Sequence, residues 1–188
     1  MSNLIASYAN VTDFTHMAFW NLVAEYNLPL PDSHLDLSYE QTLHFEKLKR
    51  ELLGEDRENS VSIVDIELEH LKRHQPAYVA FLDSCMEGRP DMDFLNLKYN
   101  SFMKNNLKDY GFKESNDPWK PEAVLISSYR TLEEVIAFRG LILPFYQGNG
   151  RTFSRVGRCG YCSKYYIAER SDAKFCERKC KNDFHRKK

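Results

Sequence analysis

The spacing Cys159-x2-Cys162-x13-Cys176-x3-Cys180 constrains this chain more than any other feature. Four of the five cysteines fall in one C-terminal stretch, and the fifth, Cys85, stands alone in an apolar segment. Four thiolates complete a tetrahedron around zinc and leave no position for an activated water, so the ion this spacing predicts is structural rather than catalytic. The Cys159–Cys162 pair makes a tight turn, or knuckle, in which Gly160 is expected to supply unusual backbone angles. "KYYIA" then reads as a strand and "RSDAK" as a turn back. Cys176 and Cys180 are four residues apart, so a helix carrying both would point the two sulfurs the same way. The expected unit over 155–188 is a four-cysteine zinc finger built as knuckle, β-hairpin and helix. Its apolar residues, chiefly Tyr165, Tyr166, Ile167, Phe175 and Phe184, are too few to fold such a segment alone. A structural zinc, contributing about 10–16 kcal/mol of apparent binding free energy in small fingers, offsets that deficit.

The rest of the chain is of a different kind. Its charge is opposite: 151–188 carry twelve Lys or Arg against four Asp or Glu, a net of +8, whereas 1–150 carry fourteen against twenty-three, a net of −9. So sharp a split suggests two parts with different partners, although a basic tail on an acidic body also serves solubility alone. Hydrophobic content of 43% and charged content of 28% are ordinary for a globular protein. No apolar run approaches the roughly 18 residues of a membrane span. "MSNLIASYANVTDF" lacks a basic segment followed by an apolar core, so a cytoplasmic location is expected.

Residues 1–145 read as an all-helical domain. Asp13 is expected to cap a helix carrying Phe14, Met17, Ala18 and Leu22, ending before "LPLPD". Ser38 with Gln41 is a capping-box pattern opening a helix that carries Phe45, Leu48 and Leu52 and closes at Gly54. "SIVDIELEHLKRH" is the next helix, and Pro76 is expected to open a separate one, "PAYVAFLDSCME", closed by Gly88 and Pro90. Leu95, Tyr99, Phe102 and Met103 give a further stripe ending near Gly111. "KESNDPWKPE" reads as a loop, and Thr131 with Glu134 opens "LEEVIAFRGLIL". Residues 146–154 read as the linker between domain and finger. The chain is thus expected to be mainly α, a helical domain of undefined role plus a small zinc finger.

Three features inside it suggest chemistry and are read as structural. His70 and His74 are spaced i, i+4, but the residue after the first is Leu71 rather than the glutamate of metalloproteases, and no third ligand is evident. Cys85 is expected to be a small core residue. "LPFYQGNGRTFSR" places Pro144, Phe145, Gly148, Asn149, Gly150 and Arg151 as they stand in the active-site loop of Fic-type AMP-transferases. Leu143 occupies the place of the catalytic histidine and Gln147 that of the metal-binding acid, and Arg155 comes one residue late. Cys159 follows too closely for the phosphate-holding helix, so "GNG" is read as a turn and no enzyme activity is expected.

The segment "CGYCSKYYIAERSDAKFCERKCKNDFHRKK" resembles the C-terminal CGNR-type, treble-clef-like finger of bacterial regulators, in which a basic segment follows the last cysteine. The resemblance covers 151–188, with Cys180 and Asn182 at two places of the naming motif. It implies DNA binding, and a role as a regulator of transcription. The charge independently permits nucleic-acid contact through Arg155, Arg158, Lys164, Arg178, Lys179, Lys181, Arg186, Lys187 and Lys188, with DNA expected ahead of RNA. Arg151 leads into the knuckle, and Arg170 and Lys174 are expected on the hairpin. The alternative is a protein-interaction module, in which the finger or the acidic helical domain docks a partner or a second copy of the chain.

Overall fold

The computed structural model describes residues 4–28, 39–53, 62–106, 131–147, 151–168, 170 and 172–187. They form a mainly helical body, one two-stranded sheet and a C-terminal four-cysteine cluster. At the centre of the body is a helix too short to announce itself in the sequence, α1 (Leu4–Ala9). Its Ile5 and Tyr8 are fully buried. A six-residue helix leaves most of its carbonyls without an internal partner. Here the Asn10 and Val11 N–H groups take those of Ala6, Ser7 and Tyr8, and Gln75 Nε2 donates to the carbonyls of Tyr8 and Ala9 at 3.0 and 3.2 Å and to that of Val11 just beyond at 2.6 Å.

Helix α2 (His16–Tyr26) starts later than expected: Thr15 and not Asp13 caps it, Oγ1 accepting from the Ala18 N–H at 3.2 Å. Phe14 stays outside the helix and packs edge-on against Tyr8, 6.5 Å between centroids. Helix α3 (Tyr39–Leu53) buries Phe45 and Leu48 with Ile63 and Ile66 in a small cluster of their own. The Ser38–Gln41 capping box, Leu52's side chain and Gly54 lie outside the described residues.

The expected break at Pro76 does not occur. One 24-residue helix, α4 (Ile63–Met86), runs through it. Pro76 is exposed, so water can take the carbonyl that the missing N–H leaves open, while Leu71, Tyr78, Phe81 and Leu82 are buried on either side. That burial outweighs one lost hydrogen bond. Gly88 closes the helix with φ of 75°, as its position suggested. Helix α5 (Met92–Asn106) buries Leu95 and Phe102; Met103's side chain, Gly111 and "KESNDPWKPE" lie outside the described residues.

Thr131 caps α6 (Leu132–Ile136), accepting from the Glu134 N–H at 3.2 Å. The chain winds on as a π-helical segment (Ala137–Ile142) and then as α7 (Leu143–Gln147). Within the π segment Gly140 lies so close to α1 that a Cβ there would sit 3.2 Å from the Ile5 nitrogen and 3.3 Å from its Cβ. Leu143 and the exposed Gln147 are thus ordinary helical residues, and 148–150 lie outside the described residues. His70 and His74 meet edge to face at 4.5 Å. Cys85 is buried in the core, and that burial pushes its thiol up to about 12.

The described end of the expected linker reaches the core through Phe153. Phe153, in a 3-10 turn (Phe153–Arg155), is 2% exposed and packs edge-on against Phe81 at 5.3 Å. From there β1 (Val156–Arg158) pairs antiparallel with β2 (Tyr165–Ile167), Val156 facing Ile167 and Arg158 facing Tyr165. The strand at "KYYIA" therefore pairs backwards, with the segment before the knuckle, rather than forwards across "RSDAK". The knuckle is the tip of this hairpin. Contacts to the body cross the expected boundary at residue 155: Asn10 clamps Tyr165, Nδ2 donating to its carbonyl at 2.8 Å and Oδ1 accepting its N–H at 2.7 Å.

Candidate metal centre and basic face

Cys159 follows β1 directly and Cys162 lies in the turn. Two backbone bonds close that turn, Ser163 N–H to the Cys159 carbonyl and Cys159 N–H to the Lys164 carbonyl, both 2.9 Å. The left-handed residue is Ser163, with φ of 59°, and not Gly160. The Gly160 N–H donates instead to the Lys174 carbonyl at 3.0 Å, tying the knuckle to the segment that brings in Cys176. Helix α8 (Arg178–Arg186) begins after Cys176 and carries Cys180 in its first turn. Only one of these two cysteines is therefore helical, contrary to the i, i+4 expectation; Cys176 reaches the centre from the preceding chain.

The four sulfurs all lie within 4.8 Å of one another. The Cys162–Cys176 and Cys176–Cys180 separations are 3.6 and 3.5 Å. A tetrahedron with metal–sulfur bonds of about 2.3 Å has edges of about 3.8 Å, so the spacing suits one ion held by four thiolates. Among the described residues no other group of His, Cys, Asp or Glu has such geometry, and His185 stays outside the set. At Cys159 the local electrostatics also favour anionic sulfur. Burial alone would raise the Cys159 thiol, but N–H groups of Cys162, Cys176 and Tyr161 aimed at it bring it down to about 6. Burial and the neighbouring sulfurs push the Cys176 and Cys180 thiols up.

The basic residues singled out in the sequence divide by position. Arg158 is committed to the body: it donates to the Tyr165 hydroxyl and to Asp83 (3.2 Å) and stacks over the Tyr165 ring at 4.4 Å. Tyr165 in turn donates to Asp83 at 2.7 Å. Lys187 lies over the Tyr161 ring at 4.9 Å, and Arg186 is 4.0 Å from Asp183. Arg155, Lys164, Arg178, Lys179 and Lys181 are exposed, and Lys188 lies outside the described residues. Arg178 and Lys181 line an open groove of about 460 Å³ with Arg170, Lys174 and Phe175. Sequence reasoning noted Arg170 and Lys174 as basic but did not gather them with α8, because the turn that brings them together depends on the metal site.

Fold and site define a mainly helical chain with a C-terminal four-cysteine cluster positioned to bind one metal ion. No family model, no curated protein and no solved structure matches the chain. Among the described residues no helix is long and apolar enough to cross a membrane.

Proposed function

We infer that the four cysteines hold one structural zinc, and that this zinc-organised finger binds nucleic acid through its basic surface. The observation that carries the reading is the concentration of exposed cations around the sulfur cluster. Zinc with four thiolates adds −2 to the +8 of 151–188, which leaves +6. Such a surface neutralises several phosphates and releases their counterions. The exposed cations that would serve are Arg155, Lys164, Arg178, Lys179 and Lys181; Arg158 holds the finger against the body and is left out. A regulator of transcription acting on DNA is the role that the resemblance to CGNR-type fingers implies. Catalysis has no part in this reading: Leu143 offers no proton acceptor, and incubation with labelled ATP is expected to leave no label on candidate targets.

The test is electrophoretic shift of zinc-loaded protein on mixed-sequence DNA and RNA at low and moderate salt. Each phosphate contact is expected to add about 0.9 to the slope of log affinity against log salt on duplex DNA. Lys181→Ala combined with Lys179→Ala should weaken binding about equally for unrelated sequences. Absence of salt-dependent binding to any probe overturns the reading and leaves the interaction module in its place.

A further inference from the structure

The groove beside α8 has a composition that a flat phosphate-binding surface does not need. Lys174, Arg178 and Lys181 contribute cationic side chains to its lining, and all three are exposed. Of the two acids in the lining, Asp172 is taken by Arg170, at 3.2 Å to Nε and 3.1 Å to Nη2, and Glu177 accepts from the Cys180 sulfur at 3.7 Å. Between these charges lies the ring of Phe175, half-buried rather than sealed. That ring is propped from behind. Phe184 packs on it at 5.2 Å between centroids, and Gly160 lies beside it, where a Cβ would make ordinary contact with its Cε1 at 3.7 Å. A supported aromatic ring loses little conformational freedom when something is laid on it.

We propose that this groove is a binding site for single-stranded nucleic acid, in which Phe175 takes an unstacked base and Lys174, Arg178 and Lys181 take the flanking phosphates. The proposal rests on the nucleic-acid reading above and narrows it. A duplex keeps its bases stacked inside a rod and presents only phosphates and groove edges, so it can touch the rim but cannot use the ring. A single strand offers each base as a free π-face, and stacking of that kind is sequence-tolerant. A concavity of about 460 Å³ suits about one nucleotide and not a helix. Charge supplies the attraction and the ring supplies the preference for a single strand.

Fluorescence anisotropy of the zinc-loaded full chain, titrated with an oligothymidylate of about 12 nucleotides and with a mixed-sequence duplex of about the same length, tests it. The single strand is expected to bind roughly tenfold more tightly at equal salt. Phe175→Leu should erase that preference and leave duplex affinity unchanged, and Phe175→Tyr should retain it. Elemental analysis of each variant checks that zinc is still bound. Should Phe175→Leu lose its zinc, the decision passes to Phe175→Met, which keeps more of the side-chain volume without the ring and is expected to lose the same preference. Equal affinity for the two probes, or a preference that survives Phe175→Leu with zinc in place, overturns the single-strand site while leaving nucleic-acid binding standing. If neither probe binds, both readings fall.

Discussion

The helical body and the finger exclude water by different means. In the body Ile5, Tyr8, Tyr78, Phe81, Leu82, Ile136 and Leu141 are all 1% exposed or less, drawn from α1, α4, α6 and the π-helical segment that follows α6. Among the described residues beyond 155 the buried ones are Cys159, Tyr165 and Cys180, and two of these are candidate ligands. Tyr165 belongs to the body's core more than to the finger's. Stability in the body is thus spread over many side chains, each worth a cavity if removed, whereas in the finger the proposed metal would concentrate it in four sulfurs. The comparison also explains where function is read. The body holds buried carboxyl groups such as those of Glu67 and Glu133 with internal partners, and the finger, with little to bury, leaves its cations outside.

Removing the metal should break the comparison most visibly. Chelation, or Cys176→Ala, takes away a contribution of about 10–16 kcal/mol in apparent binding and should melt the hairpin tip and α8. Most far-UV helical signal should survive, because α1 to α7 lie in the body. Collapse of the whole signal on chelation would show that the two regions do not differ in this way.

Phe153→Ala should cost about 3–5 kcal/mol, read as a lower urea midpoint, with zinc stoichiometry unchanged. A residue that the sequence places in a linker then behaves as core. A third test concerns pH. Burial pushes the Glu67 carboxyl up to about 8, against the lowering effect of the Leu132 N–H that both its oxygens accept at 3.1 and 3.0 Å; Glu133 and Glu134 add to the rise. Its folded value exceeds its unfolded one, so the stability tied to its proton is fully present below the ordinary carboxyl range and is lost as pH rises through about 8. Glu67→Gln should flatten that decline in urea midpoints. Glu133 works in the opposite sense: burial would raise it, but Lys98 at 2.6 Å and the Tyr78 hydroxyl outweigh this and lower it, so its contribution is lost as pH falls. The smallest effect should come from the seam. Asn10→Ala removes two bonds to Tyr165 and should cost about 1–3 kcal/mol, with faster hydrogen exchange at the Tyr165 amide and little change elsewhere.

How much of this was legible in the sequence also divides by region. The cysteine spacing carried the cluster itself, because ligand geometry is a local rule that few other constraints can override. Thr131 and Gly88 were legible for the same reason, as a cap and a stop acting on their own neighbours. What was not legible depended on distant partners. Six residues of α1 carry no period, and their helix exists because Gln75 and the core around Tyr8 support it. Pro76 reads as a start in isolation and is carried through by burial on both sides of it. Thr15 and Asp13 are equally good caps locally, and packing of Phe14 on Tyr8 separates them. In the finger, β2 chose the strand before the knuckle because Asn10 and Asp83 hold that edge against the body. The groove beside α8 could not be read at all, since its lining is assembled by the metal-site turn and not by spacing.

The most direct test of the central claim, that a metal-organised finger supplies the binding surface, is nucleic-acid affinity measured across a salt series for one protein sample before and after zinc removal. The account expects zinc-loaded protein to bind with log affinity falling linearly in log salt. It expects that binding to disappear on chelation and to return when zinc is restored. Salt-dependent binding that is the same with and without zinc would contradict it, and would move the contact surface off the finger.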